Sequence, residues 1–206
     1  MMKETPIFEE VFRSMLKLPG LWQKLLIGGL LSFIPGINLF AFGYLYRVSR
    51  AVRRAGRPVL PSWQLREEWR GLFMDGLRFA VVWLAFWLLP VLLALLVSWL
   101  LGVVFLGALA NLFFISVVLY ATVLFSSALY RYNMRQDFND LLNLSLIFRM
   151  TWMELPGLLV PVFFFLGLVV WLLPFYGFSL FAGFFVLITY ISLRYRSIED
   201  RRHVVL

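Results

Sequence analysis

The chain has 206 residues, of which 62% are hydrophobic and 15% are charged. Soluble domains average about 45–50% apolar and about 25% charged residues, so this composition excludes an ordinary water-soluble domain. The net charge of +8 is typical of the positive-inside rule of membrane proteins rather than of nucleic-acid binding, for which the sequence has no motif. The absence of cysteine excludes disulfides, thiolate metal sites and a cysteine nucleophile.

The first predicted element is an amphipathic stretch over residues 6–18. Apolar residues such as Val11, Phe12 and Met15 recur there near helical spacing among charged ones. We therefore expect this stretch to lie at the membrane surface rather than across it.

Three long segments contain no charged residue: 25–46, 79–130 and 155–193. One membrane span needs about 20 residues, so the second and third segments each hold two helices. Leu101-Gly102 is the candidate turn of the second segment, which gives helices over 79–100 and 103–130. Pro174 and Gly177 mark the turn of the third, which gives shorter helices over 155–173 and 178–193.

The first segment, 25–46, is open to two interpretations. Its length fits a single span, but Pro35-Gly36-Ile37-Asn38 interrupts it at the centre with a turn signal. One alternative is a kinked first span. The other is a re-entrant segment or hairpin, which membrane proteins tolerate only where protein or water satisfies the backbone. We favour the second, because it leaves every charged residue on one side of the bilayer.

An interfacial helix is predicted before each later pair of spans. Residues 62–77 place Leu65, Trp69, Leu72, Phe73 and Leu77 on one helical face, with Ser62 as a candidate N-cap. Residues 137–153 form the second such helix, and residues 194–206 a cytoplasmic tail. The predicted fold is therefore a single all-α membrane domain over 1–206, with four transmembrane helices in two hairpins, the re-entrant or kinked segment and interfacial amphipathic helices.

A dense basic cluster follows the first segment and places that loop in the cytoplasm, as the positive-inside rule requires. Arg47, Arg50, Arg54 and Arg57 would form one stripe on a continuous helix. We interpret this cluster as a topology signal, or alternatively as a site that docks anionic phospholipid or an acidic partner. The candidate docking residues are Arg47, Arg50, Arg53, Arg54, Arg57, Arg131 and Arg135.

The tripeptide Leu-Tyr-Arg closes the first and second charge-free segments, and Leu193-Arg194-Tyr195-Arg196 echoes it after the third. Tyrosine and tryptophan at such boundaries are typical interface anchors, and internal duplication is the alternative explanation of the repeat. The candidate anchors are Tyr46, Trp63, Trp69, Tyr130 and Tyr195.

Few polar residues interrupt the spans, and none of them is ionisable. Asn111, Ser126 and Ser127 are the candidate intramembrane polar residues, for which helix–helix hydrogen bonding is the default interpretation and a solute path the alternative. Because His203 is the only histidine, no Ser-His-Asp set can be assembled and no metal site is expected. Gly28-Gly29 is expected to serve helix packing.

Several short motifs in the first half resemble one prokaryotic membrane family. They are Trp22-x-Lys24 followed by Gly28-Gly29, Ile34-Pro35, Gly43-Tyr44-Leu45-x-Arg47, Leu60-Pro61-x-Trp63 and Gly71-x-Phe73-x-Asp75-Gly76. The set resembles the domain-of-unknown-function family numbered four thousand and thirteen, most closely over residues 22–90. Ser62 stands where members usually carry an acid, so a role for that acid does not carry over. The resemblance implies a bacterial or archaeal membrane protein and no particular activity.

We therefore expect a multi-pass protein of the cytoplasmic (inner) membrane, with a cytoplasmic C-terminus. The expected function is non-enzymatic and needs no cofactor: a lipid or membrane organiser, or a small accessory subunit of a membrane complex. Its expected partners are the lipid bilayer, anionic phospholipids and other membrane subunits. A transporter or channel component for a neutral or lipidic solute is the alternative.

Overall fold

The computed structural model describes residues 6–63, 68–104 and 106–205, with side chains described as far as residue 200. Regular structure within these ranges is entirely helical. The elements are α1 (Phe8–Leu16), α2 (Leu21–Ser32), α3 (Asn38–Ala55), α4 (Trp69–Trp83), a π-helical segment (Leu84–Leu88), α5 (Leu89–Val103), α6 (Gly107–Arg135), α7 (Asn139–Leu142), α8 (Leu144–Trp171), a 3₁₀ turn (Leu173–Phe175) and α9 (Tyr176–Val205). They form two compact units: unit one is Met1–Phe79 with Phe163–Leu206, and unit two is Ala80–Val162.

Four helical stretches are long and apolar enough to cross a membrane. They are Trp69–Val103, Gly107–Arg135, Leu144–Trp171 and Leu173–Asp200. The shortest has 28 residues, and at 1.5 Å per residue it extends about 40 Å, more than the roughly 30 Å of bilayer hydrocarbon. The predicted all-α membrane class with four long apolar helices is confirmed.

The predicted helix boundaries are wrong in one consistent way. The described residues do not form the predicted separate interfacial helix over 62–77: Ser62 and Trp63 are non-helical, and α4 begins at Trp69 and continues past Leu77 into the apolar segment. Residues 64–67 of that prediction lie outside the described ranges. Residues 144–153 are likewise the first turns of α8, and residues 194–205 continue α9 rather than forming a separate tail. A boundary between charged and apolar residues does not end a helix unless a turn residue also stands there.

The turn of the second segment lies later than Leu101-Gly102. Helix α5 continues to Val103 and α6 begins at Gly107, so the helices are not 79–100 and 103–130. The amide of Leu106 donates to the carbonyl of Leu101 at 3.0 Å, which closes the end of α5. Gly102 has an ordinary helical φ, so the glycine on which the prediction relied is not used as a turn residue.

The Pro35-Gly36 break is a real turn, and the segment 25–46 folds back on itself. Gly36 adopts a φ of 84°, which favours glycine, and its amide donates to Asn38 Oδ1 at 3.1 Å. Helices α2 and α3 pack against each other on either side of this turn. Lys24 and Tyr44 lie near the two ends of the segment, and both donate a hydrogen bond to the carbonyl of Pro61. A single kinked span would have separated them.

Glycines allow the helices of unit one to pack closely. Gly28 lies against the ring of Phe181 and Gly29 against that of Phe178, so the predicted packing role of Gly28-Gly29 is confirmed. Gly43 of α3 and Gly76 of α4 face each other's helix backbone: a Cβ on Gly43 would meet the carbonyl of Leu72, and one on Gly76 that of Leu39. Helix α1 is amphipathic as predicted, with Val11 and Met15 buried and Glu9 and Arg13 exposed.

Helices α5 and α6 make the main contact of unit two. Trp87, in the π-helical segment ahead of Pro90, donates its indole N–H to Thr122 Oγ1 at 3.0 Å. Pro90 has no amide hydrogen, and a π segment is one way for a helix to accommodate that loss. Further along the pair, Ser98 Oγ donates to the carbonyl of Ala110 at 3.1 Å.

The close approach of α3 and α4 gives a test of this packing. Gly76→Ala places a methyl group against helix backbone, which cannot move aside as a side chain can, so we expect a loss of about 1–3 kcal/mol in stability. Gly102→Ala is the matched control: its added methyl meets nothing within 4 Å, and it should be neutral or slightly stabilising. Thermal unfolding in detergent measures both, and equal midpoints would refute the assigned contact.

Candidate functional site

The basic cluster at the end of α3 contains arginines of two kinds: some are bound within the protein, and others are exposed. Arg47 is held: its Nε donates to Asp75 Oδ2 at 3.0 Å and its Nη1 to Glu68 Oε2 at 2.8 Å. Asp75 is 7% exposed and also accepts from Arg78 at 3.3 Å. A buried carboxylate needs such cationic partners, so Arg47 serves the α3–α4 contact first.

The remaining arginines of the cluster do not form the predicted single stripe. Helix α3 ends at Ala55, and Gly56, with a φ of 66°, turns the chain so that Arg57 lies beyond the helix. The Arg50 guanidinium lies 5.8 Å from the ring centre of Tyr46, and Arg53 is partly buried. Arg54 and Arg57 are exposed, on either side of Gly56.

The end of α3 is capped by a residue that sequence reasoning did not single out. Arg196 Nη1, from α9, donates to the carbonyls of Arg53 and Arg54 at 2.6 and 2.8 Å. A cation at a helix C-terminus is favoured by the helix dipole and satisfies carbonyls that lack helical partners. In the sequence, Arg196 stands out only as part of the repeated motif Leu193-Arg194-Tyr195-Arg196. That motif does not predict a hydrogen bond to a residue 143 positions earlier.

A second contact outside the predicted site secures the loop after α3. Lys24 Nζ donates to the carbonyl oxygens of Pro61 at 2.7 Å and Leu60 at 3.3 Å, and Tyr44 Oη donates to Pro61 at 3.0 Å. Partial burial lowers the pKa of the Lys24 ammonium. Trp63 stacks on Tyr44 with ring centres 4.1 Å apart, so it packs within the protein and is not a free interface anchor.

The tyrosine anchors are a correction to the sequence interpretation. Tyr46, Tyr130 and Tyr195 are all buried, at most 4% exposed, and cannot contact head groups. The reason is that α3, α6 and α9 each continue well past the Tyr-Arg position, which places the tyrosine inside the helix packing. Trp69 alone of the five candidates is largely exposed, with the Arg70 guanidinium 5.3 Å from its ring centre.

In unit two, Arg131 and Arg135 converge on one carboxylate. Arg131 Nη2 donates to Asp140 Oδ1 at 3.3 Å, and Arg135 Nη1 lies 3.9 Å from the same oxygen. Arg131 is mostly buried, whereas the Arg135 side chain is 72% exposed. Arg135 is therefore the member of this pair that a ligand could reach.

The intramembrane hydroxyls are engaged in helix packing. Ser126 and Ser127 donate to carbonyls four residues earlier, at 2.7 and 3.1 Å, and Thr151 Oγ1 of α8 donates to Ser127 Oγ at 3.1 Å. Asn111 lies near the start of α6, not mid-span, and is exposed. The hydrogen bonds of Ser126 and Ser127 are those expected of the packing interpretation. Among the described residues, no three His, Cys, Asp or Glu side chains lie together as a metal site would require.

Four long apolar helices with charged groups at their ends make the chain a helical, multi-pass membrane protein. A family model described as "Protein of unknown function (DUF4013)" matches residues 27–191, so the chain belongs to that family. No curated protein and no solved structure matches the chain.

The Lys24 contact predicts a specific loss of stability. Lys24→Met keeps the apolar stem but removes the donor to Leu60 and one of the two donors to Pro61, whose carbonyl keeps only Tyr44, at a cost of about 1–2 kcal/mol. Lys17→Met is the control, since Lys17 is exposed and its side chain makes no hydrogen bond with a described residue. Limited proteolysis of the 56–63 loop should quicken in the first variant only; equal cleavage in both would exclude the proposed role of Lys24.

Proposed function

We propose that this protein is a non-enzymatic lipid-binding organiser of a bacterial or archaeal inner membrane, acting alone or as a small subunit of a membrane complex. The observation that carries the proposal is the exposed cationic end of α3. Arg54 and Arg57 stand free of ion pairs with the described residues, at the end of a helix whose apolar part packs within unit one. Each such cation near an anionic leaflet contributes about 1 kcal/mol of attraction.

The α2–α3 hairpin supports a re-entrant placement in the membrane. Helix α2 has 12 residues and rises about 18 Å, too little for the hydrocarbon layer. Trp22, Leu26 and Leu30 form an exposed apolar stripe along it, and Ile34 and Ile37 expose apolar side chains at the tip. Tyr176 Oη donates to the carbonyl of Phe33 at 3.1 Å, so protein groups help to satisfy the tip backbone, as lipid requires.

This placement implies that every charged loop lies on the cytoplasmic side. Lys17 and Ser62 would then share one side, and Asn111, at the opposite end of α6 from Arg131, would face the other. Because the chain has no native cysteine, single Cys substitutions at these three positions can be labelled cleanly.

Topology labelling tests the placement. We expect an impermeant maleimide added to intact cells to label Asn111→Cys and to leave Lys17→Cys and Ser62→Cys unlabelled until the membrane is opened. Labelling of Lys17→Cys from outside, with Ser62→Cys protected, would mean that 25–46 crosses the bilayer.

Charge reversal tests the lipid interaction. Arg54→Glu should weaken the binding of acidic lipid to the reconstituted protein about thirtyfold at low salt, because it replaces an attraction of about 1 kcal/mol with a repulsion of similar size. The effect should shrink at 1 M salt, where charges are screened over about 3 Å. Arg149→Glu changes the net charge equally at an exposed position outside the candidate docking set. Equal losses in both variants would reduce the effect to net charge alone and reject a site at α3.

A further inference from the structure

A cavity of about 430 Å³ opens among the start of α1, the chain just after α3 and the end of α9, all within unit one. Its volume is in the range of small-molecule sites. Val11 and Leu193, both buried, contribute an apolar wall. Four charged side chains also line it: Glu10, Arg57, Arg196 and Asp200.

The cavity lining has two acidic and two basic side chains, but only one acid–base pair among them is in contact. Arg196 is fixed by the two carbonyls that it caps, and its Nε lies 3.9 Å from Asp200 Oδ2. Glu10 and Arg57 make no ion pair or hydrogen bond with the described residues through their side chains, although both line the cavity. Among the described residues, the cavity thus offers one carboxylate and one guanidinium without an ion-pair partner, beside the Arg196–Asp200 pair.

We propose that this cavity binds a zwitterion that combines a phosphate with a primary amine, the chemistry of a phosphoethanolamine head group. A simple anion would be repelled by Glu10 and Asp200, and a simple cation by Arg57 and Arg196, whereas a zwitterion satisfies both signs at once. The Arg57 guanidinium suits a phosphate, which it can bind through two parallel N–H groups. A primary ammonium has three N–H donors for the carboxylates.

The same geometry predicts discrimination among head groups. A quaternary ammonium has no N–H to donate, so a phosphocholine group would leave Glu10 without a hydrogen bond. The apolar wall would accept the glycerol and first methylene groups of a lipid. This inference deepens the proposed function, on which it rests for placing the cavity at the membrane surface.

Competition between lipids of identical acyl chains tests the proposal on the full chain in detergent, with bound lipid counted by native mass spectrometry. The wild-type protein should retain phosphatidylethanolamine about three- to tenfold better than phosphatidylcholine, the range expected for a partly exposed charge-assisted hydrogen bond. Glu10→Gln should abolish that preference. Glu9→Gln, an exposed residue next to Glu10 on the same helix but outside the cavity lining, should keep it.

Arg57→Gln should weaken the retention of both lipids, whereas Arg149→Gln should weaken the retention of neither.

Soluble glycerophosphoethanolamine separates the two sources of the ligand: displacement of the lipid at similar concentration assigns a free metabolite, and no displacement assigns the lipid. No wild-type preference, or a preference unchanged in Glu10→Gln, would overturn the inference. If Glu10→Gln loses the preference while Arg54→Glu leaves acidic-lipid recruitment intact, the cavity stands and the α3 lipid site fails; the reverse pattern rejects the cavity alone.

Discussion

Close packing of α2 against α9, made where Gly28, Gly29 and Gly177 leave room for phenylalanine rings, is the contact on which unit one depends. Helices in a membrane gain little from burying apolar surface, because lipid is as apolar as their side chains, so close van der Waals packing must hold them together. This packing keeps α2 alongside the long helix α9. It brings the turn at Pro35-Gly36 beside Tyr176 and Lys24 beside the loop after α3, and so permits the fold-back.

The absence of charge predicted the long apolar helices, and the turn residues Pro35-Gly36 predicted the break, because both features depend on local sequence. The cost of placing charge in hydrocarbon fixes where apolar helices lie, and a glycine at positive φ fixes the turn. Helix ends were harder to predict. Nothing between Leu77 and Phe79 stops a helix, since Asp75 and Arg78 find partners within unit one, and α4 therefore passes through the change from charged to apolar sequence.

The candidate site could be predicted by residue type but not by role. Arg47 was expected to face lipid or a partner, yet Asp75, 28 residues later, holds it within the protein. Tyr46 was expected at the interface, yet it is buried because helices from elsewhere in the chain surround it. Lys24 and Arg196 act on backbone carbonyls, which carry no sequence signal at all. Arg54 and Arg57 remain exposed because Gly56 ends the helix between them.

The capping of α3 by Arg196 also bears on how the chain is made. The N-terminal part of the chain is bound by α9: Arg196 donates to the carbonyls of Arg53 and Arg54, and Tyr190 Oη donates to the carbonyl of Pro6, 184 residues earlier. At synthesis rates of about 5–20 residues per second, the hairpin waits roughly 10–30 seconds for these partners to be made. During that interval the glycine faces of α2 and the carbonyls of Arg53 and Arg54 lack the contacts that α9 supplies in the complete fold.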